Sequence, residues 1–368
     1  MPEGSSVSST APKLVLAPTS RPQASTEHVQ AGKRMAPLDG LRAVSIILVL
    51  LGHLNGTLGF PETDFERFIG DYANLGVIVF FVISGFLITT LLIEEHDNYG
   101  GISLRLFYVR RFLRLMPAFL LFMAFIFLVQ MAGYISLSPG DYLRALTYTV
   151  NFRRHNNWYV GHLWSLSVEE QFYLLWPAVL VLAGRSKATW IAAGVLLVSP
   201  IARFFAMGRA AGTIFPCVAD SLACGCLLAL CGDKLFAKKP YTTLIASGLF
   251  LPVAVILILA SNWLRSYTVG VVLGVSVINL LIGLIVHRCV SRQSKMTSIL
   301  SIRPLVAIGV LSYSLYLWQQ FFLNRDSSWP ICDFPLNLIL TFVVASLSYF
   351  LVEGPINELR RKYRRAPL

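Results

Sequence analysis

The chain has 368 residues, 55% hydrophobic and only 14% charged, where an ordinary soluble domain carries about 45–50% and about 25%. That balance excludes a typical cytosolic protein, and 24 Phe, 14 Tyr and 7 Trp are too much apolar surface for the bulk of the chain to stay disordered. Collagen-like, coiled-coil and disulfide-scaffold readings fail as well, and the net charge of +12 is informative only once its position along the chain is known.

Residues 1–36 are rich in Ser, Thr, Pro and Ala and contain no apolar run, which predicts a disordered cytoplasmic tail rather than a signal peptide. Apolar segments of spanning length follow at about 38–58, 74–93, 112–133, 164–183, 188–207, 214–232, 241–260, 267–287, 305–323 and 335–353. The expected fold is an all-α integral membrane bundle of about ten transmembrane helices, with the membrane domain over 37–357 and a basic cytoplasmic tail over 358–368. The segment 142–152 is too short to span and is interrupted by Arg144, so an interfacial or re-entrant helix is expected there.

With the N-terminus placed inside, 22 Lys and Arg outside the spans fall on the inner side and 8 on the outer side. Positive residues collect on the cytoplasmic face, so both termini are expected to be cytoplasmic and the protein to be a multi-pass protein of the cell's inner membrane. Topology accounts for the charge, and the partner it implies is the lipid bilayer, not nucleic acid. Cys217, Cys224 and Cys231 recur every seven residues, on one helix face, where a close helix contact is expected. No constellation of ligands offers a metal site.

Charged groups inside a span are costly and mark candidate functional groups. In LDGLRAVSIILVLLGHL, Asp39 and Arg42 lie near the start of the first span and His53 eleven residues after Arg42. At about 100° and 1.5 Å per residue, Arg42 and His53 share a face and stand roughly 16 Å apart along the axis, with His53 read as about mid-membrane. The plain alternative is that Asp39 caps the helix, Arg42 snorkels to the headgroups and His53 satisfies a carbonyl. In FYVRRFLRLMP, Arg111 and Arg114 are i and i+3; they either grip phosphates together or serve as topology signals. In HLWSLSVEEQFYLLWP, Ser165, Glu169, Tyr173 and Trp176 form a polar and aromatic stripe, with Glu169 lining the bundle and Glu170 turned toward the interface. Asp220 is expected to bond inside the bundle, and Glu353 reads as an ordinary helix-end carboxylate.

The segments LDGLRAVSIILVLLGH, GVIVFFVISGFLI, YVRRFLRLMP, WSLSVEEQFYLLWP, DSLACGCLLA, LSYSLYLW and SYFLVEGP, in this order from about residue 37 to 357, resemble the membrane-bound acyltransferase-3 family. The resemblance implies O-acylation, usually O-acetylation, of sugars in surface or exported glycans and glycoconjugates. Acyl-coenzyme A, here acetyl-CoA, is the implied co-substrate, with no permanently bound cofactor. It makes His53 the catalytic histidine, with Arg42 its partner and Glu169 assisting. It matches Arg111 and Arg114 to the cytoplasmic arginines that meet the coenzyme, and Ser165 and Glu169 to the Ser, three residues, Glu motif of the fourth span. Arg42 is also expected to bind the coenzyme, Ser165, Tyr173 and Trp164 to line the acceptor side, and Asp39 and Asp220 to support the site. His53 would act either as general base on the sugar hydroxyl or as a transient acyl carrier. One departure is visible: the position after LSYSLYLW, often His in the family, is Gln319. Many relatives carry a further extracytoplasmic Ser-Gly-Asn-His hydrolase-like domain after the last span. None is expected here, so transfer is completed in the membrane or handed to a separate extracytoplasmic acyltransferase partner.

The competing class is a proton-coupled secondary transporter or exporter, which also needs intramembrane Arg, His and Glu. The halves show no internal repeat, and the charges cluster in spans one to four, which disfavours it.

Overall fold

A long apolar segment can satisfy its backbone in lipid only as a helix or within a closed barrel, and the described residues contain helices and no strand. The computed structural model describes residues 35–61, 72–153, 156–207, 212–361 and 363. The predicted N-terminal tail up to residue 34 lies outside the described residues. So do residues 362 and 364–368 of the basic tail, and Arg67, Arg154 and Arg209 of the outer-side count.

In chain order the helices are α1 (Ala36–Leu54), α2 (Ala73–Tyr99), α3 (Leu104–Met131), α4 (Pro139–Leu146), α5 (Leu163–Phe205), α6 (Phe215–Phe236), α7 (Lys239–Ala246), α8 (Phe250–Trp263), α9 (Val275–Ser291), α10 (Arg303–Phe322) and α11 (Leu336–Ser348). A wide turn at Gly270–Gly274 leads into α9, and α11 runs on through Tyr349–Glu353 to Arg361. Single turns at Trp158–Gly161 and Lys295–Leu300 precede α5 and α10.

Among the described residues, eight helices are long and apolar enough to cross a membrane, nine with the bent α7–α8 pair counted as one span. The tenth comes from α5. Its 43 residues would run about 65 Å, twice the roughly 30 Å hydrocarbon core, and it breaks at Gly184, where φ is 71° and ψ 169°. Only glycine adopts such a left-handed φ without steric cost. Beyond the break the chain doubles back. Trp164 and Arg203 line one cavity with Asn74 at the start of α2, whereas Arg185 pairs with Asp97 at the end of α2, 2.6 Å away. Residues 163–183 and 185–205 therefore cross separately, as predicted.

Side chains on the outside are apolar, the reverse of a soluble protein: Leu182 is 86% exposed, and Trp190, Leu197 and Phe205 are also open. Inside, α1 packs between α2 and α10, and α6 between α2 and α5. Backbones meet where small residues allow it. A Cβ at Gly225 of α6 would lie 2.1 Å from the Val82 carbonyl of α2, and one at Gly85 of α2 would lie 2.0 Å from the Leu222 carbonyl of α6. A Gly225→Ala change should therefore overpack this crossing and cost about 1–3 kcal/mol, read as a lower unfolding temperature of the purified protein. On the other face of α6, Cys224 donates to the Asn279 carbonyl at 3.3 Å and sits against Gly283, the close helix contact expected of the cysteine stripe.

The short helix expected at 142–152 is present as α4 and a turn at Val150–Phe152. Ser138 and Asp141 form a capping box at its start, while Leu143, Leu146 and Phe152 face outward, as an interfacial helix requires. Burial pushes the Asp141 carboxyl up. Hydrogen bonds from the Ser138 hydroxyl and N–H, at 2.7 and 3.0 Å, and the Arg153 and Arg144 guanidinium groups outweigh that and hold it below the usual carboxylate value.

Candidate active site

The eleven-residue spacing places Arg42 and His53 on one face of α1, and the structure shows what each end of that face meets. At the start, Arg42 is 3.3 Å from the buried Asp39 and within electrostatic reach of Glu169 on α5. At the other end, His53 stands in the last turn of α1. This corrects the mid-membrane expectation: α1 ends one residue after His53, so the imidazole belongs to the end of the bundle where α2 and α5 begin. Its Nδ1 is 2.9 Å from the Val49 carbonyl. A carbonyl only accepts, so Nδ1 carries the hydrogen and Nε2 keeps its lone pair. The Trp158 ring meets His53 edge-on at 6.1 Å, and Arg325 lies over that indole at 5.7 Å.

Glu169 is held by a residue to which the sequence reading assigned no role. The Ser84 hydroxyl donates to Glu169 Oε1 at 2.7 Å and accepts from the Tyr173 hydroxyl at 3.0 Å. Arg111 lies over the Tyr173 ring at 3.7 Å and, like Arg42, acts electrostatically on Glu169. A polar seam thus runs from Glu169 through Ser84 and Tyr173 to Arg111, linking α2, α3 and α5, with Arg42 of α1 acting on its Glu169 end at longer range. The available signal for Ser84 was a hydroxyl in the otherwise apolar run GVIVFFVISGFLI.

Arg111 and Arg114 do not converge. Their i, i+3 offset of about 60° sends Arg111 toward α5, whereas Arg114 acts on Glu353, which accepts from Ser314 on α10. Glu353 is therefore buried, not an ordinary helix-end carboxylate. Glu170 does not face the interface either. With Arg111, Tyr108, Met116, Tyr148 and Tyr173 it lines a cavity of about 430 Å³, because α3 packs over that side of α5. Tyr363, from the end of the described chain, lies at the same cavity, and no carboxylate comes within 4 Å of Arg111 among the described residues.

The acceptor-side candidates divide. Ser165 is buried and bonded to the Tyr316 hydroxyl of α10 at 2.5 Å, and Tyr173 is buried with its hydroxyl on Ser84. Both tie helices together. Trp164 instead lines a second cavity, of about 320 Å³, with Asn74, Arg203 and Arg265 at the His53 end of the bundle. Gln319 is fully buried, its amide nitrogen donating to Gln320 at 3.3 Å and its oxygen without a hydrogen-bond partner among the described residues.

Asp220 has a partner the sequence did not identify. Arg203, counted among the outer-side cations, is 1% exposed and grips Asp220 with two bonds of 3.0 and 2.9 Å. It also donates to the Cys217 and Val272 carbonyls, while the Ser276 hydroxyl bonds Asp220 at 2.8 Å. This fully bonded pair joins α5, α6 and the entry to α9, so Asp220 bonds inside the bundle.

Residues 36–352 match a family model described as an acyltransferase domain. O-acetyltransferase OatA of Staphylococcus aureus strain NCTC 8325 is 30% identical over 373 residues, covering 90% of this chain and 58% of its own length; the OatA proteins of strains COL and MRSA252 match to the same extent. The chain thus spans less than two thirds of these curated relatives. No solved structure matches it significantly.

Proposed function

Because the chain belongs to the acyltransferase-3 family, we propose that it transfers an acyl group, acetyl in the simplest case, from cytosolic acyl-coenzyme A to a sugar hydroxyl of a surface or exported glycan. The observation that carries this reading is the arrangement along α1. Arg42 acts on the Glu169 end of a buried seam ending in Arg111, whose guanidinium has no carboxylate partner within 4 Å among the described residues, and His53 stands about 16 Å from Arg42 along α1, its Nε2 without a hydrogen-bond partner among the described residues and its Nδ1 on Val49.

In this reading the donor phosphates meet Arg111 at the cavity it lines, and Arg42 follows them inward. The pantetheine arm then carries the thioester along the α1 face toward His53. Glu169, fixed by Ser84, keeps Arg42 oriented, and Trp164 faces the arriving acceptor at the opposite end. Arg114, turned toward Glu353, contributes less to the donor than Arg111. Acceptor identity, the membrane concerned and any separate acyltransferase partner are read out together by mass spectrometry of surface glycans from cells with and without this gene. Loss of an acyl group from one glycan in the deletion strain supports the reading; an unchanged acylation pattern together with loss of a transport activity would replace it by the carrier alternative.

Arg111→Ala should weaken acetyl-CoA binding about ten- to hundredfold, the value of a charge-assisted hydrogen bond of about 1.5–3 kcal/mol. Arg111→Lys should rescue it poorly, because an ammonium lacks the planar fork and the stacking on Tyr173. Calorimetric titration of the purified variants measures both, and unchanged affinity in Arg111→Ala would remove the arginine from the donor site.

Ten crossings with a cytoplasmic start return the C-terminus to the cytoplasm. A reporter active only outside the cytoplasm, fused after Leu368, should be silent, whereas the same reporter inserted after Gly133 should be active. The reverse pattern would invert the sidedness of the donor site.

A further inference from the structure

A covalent route through His53 leaves one proton without a carrier. Once Nε2 holds an acyl group its lone pair is used in the new bond, and Nδ1–H is already committed to the Val49 carbonyl. His53 then has no atom with which to take the proton of an incoming hydroxyl. A second base is required at the same end of the bundle.

His162, in the turn entering α5, meets that requirement. It is 4% exposed. Its Nε2 lies 3.2 Å from the Leu317 carbonyl, so Nε2 carries the hydrogen and Nδ1 is a bare acceptor. That Nδ1 is buried and has no hydrogen-bond partner among the described residues, a costly state for a polar atom and one that a hydroxyl or a water molecule would relieve. The ring is fixed edge-on against Phe122 at 5.6 Å and beside Tyr316 at 5.5 Å. Its main chain is pinned as well, the Tyr316 hydroxyl donating to the His162 carbonyl at 2.7 Å. Trp158, one turn earlier, carries the ring that meets His53, and the two histidines are close enough for the charge of one to act on the other.

We propose that His162 is the general base for transfer to the acceptor, working opposite an acylated His53. The proposal rests on the acyl-transfer reading and chooses between its two routes. First, His53 Nε2 attacks the thioester carbonyl, the C–S bond breaks and coenzyme A leaves as thiolate. Second, the acceptor oxygen attacks the same carbon, its proton passes to His162 Nδ1, and the C–N bond breaks with its electron pair returning to His53 Nε2. The His162 proton is then released to water, where the thiolate takes one up. The sum is ester plus free thiol from thioester plus alcohol. Tyr316 thereby becomes a positioning residue, since its hydroxyl holds the His162 carbonyl, and Ser165 supports it by donating to that hydroxyl.

His162→Gln separates the structural bond from the chemistry. A Gln amide can still donate to the Leu317 carbonyl, but it places no basic nitrogen at the Nδ1 position. With purified protein and acetyl-CoA, the variant should release one equivalent of coenzyme A in a burst and retain one acetyl group on the His53 peptide, read by mass spectrometry after quenching. Its steady-state transfer to membranes bearing the cell's own glycan should fall about a hundredfold, the usual share of a positioned base. The burst also shows that the variant is folded. Near-normal turnover would overturn the proposal, as would loss of the burst in folded protein, which would make His162 part of the first step. If His162→Gln does not fold, His162→Asn is put through the same two measurements. Absence of acceptor-independent coenzyme A release from the wild-type protein would overturn the covalent route and this proposal with it, whereas absence of release with glycan-bearing membranes present would refute the acyl-transfer reading itself.

Discussion

His53→Gln is expected to insert, fold and bind acetyl-CoA, yet lose acyl transfer by at least about 10²–10⁴-fold, the contribution of a positioned acid–base group. The Val49 contact accounts for one ring nitrogen only, and a Gln amide reproduces a donor to that carbonyl. What Gln does not reproduce is the free lone pair of Nε2, which alone can accept a proton or an acyl group. The measurement is transfer of label from acetyl-CoA to membrane glycan, normalised to folded protein. A purely structural histidine predicts that Gln keeps most of the activity, and turnover near the wild-type value would remove His53 from the chemistry while leaving family membership untouched.

The largest loss of stability is expected at Asp220. Asp220→Ala leaves Arg203 at 1% exposure with its charge facing carbonyls and the Ser276 hydroxyl but no carboxylate. Breaking a buried pair in this one-sided way costs about 3–5 kcal/mol, whereas replacing both members by apolar residues is often neutral. Thermal unfolding in detergent should therefore show a large drop for Asp220→Ala and substantial recovery in Arg203→Met, Asp220→Leu. If the double variant is no better than the single one, the pair does more than support the fold. Folded double-variant protein that has lost transfer would then place it at the acceptor cavity, which Arg203 lines.

Spans, their number and the short interfacial helix were legible because they depend on local quantities. About twenty apolar residues suffice to cross a bilayer wherever they occur, and helical period alone puts Arg42 and His53 on one face. The cost of an intramembrane charge likewise singled out Glu169 and Asp220 before any contact was known. Relations between helices were not legible, since a partner's identity depends on which faces meet. Arg203 reads as a loop cation until α5 turns back at Gly184 and lays it against Asp220. Ser84 is one hydroxyl in an apolar run until α2 meets α5 and sets it on Glu169. Arg111 and Arg114 read as a clamp, and only the packing of α3 between α5 and the last helix sends Arg111 onto the Tyr173 ring and Arg114 toward Glu353. Ser165 reads as a lining hydroxyl, yet α10 brings Tyr316 to it and closes that face. The sequence determined which residues carry charge or basicity into the membrane; tertiary structure decided which of those groups are neutralised and which, like His53 Nε2 and His162 Nδ1, keep an unused lone pair, because a hydrogen-bond partner is supplied from across the bundle rather than along the chain.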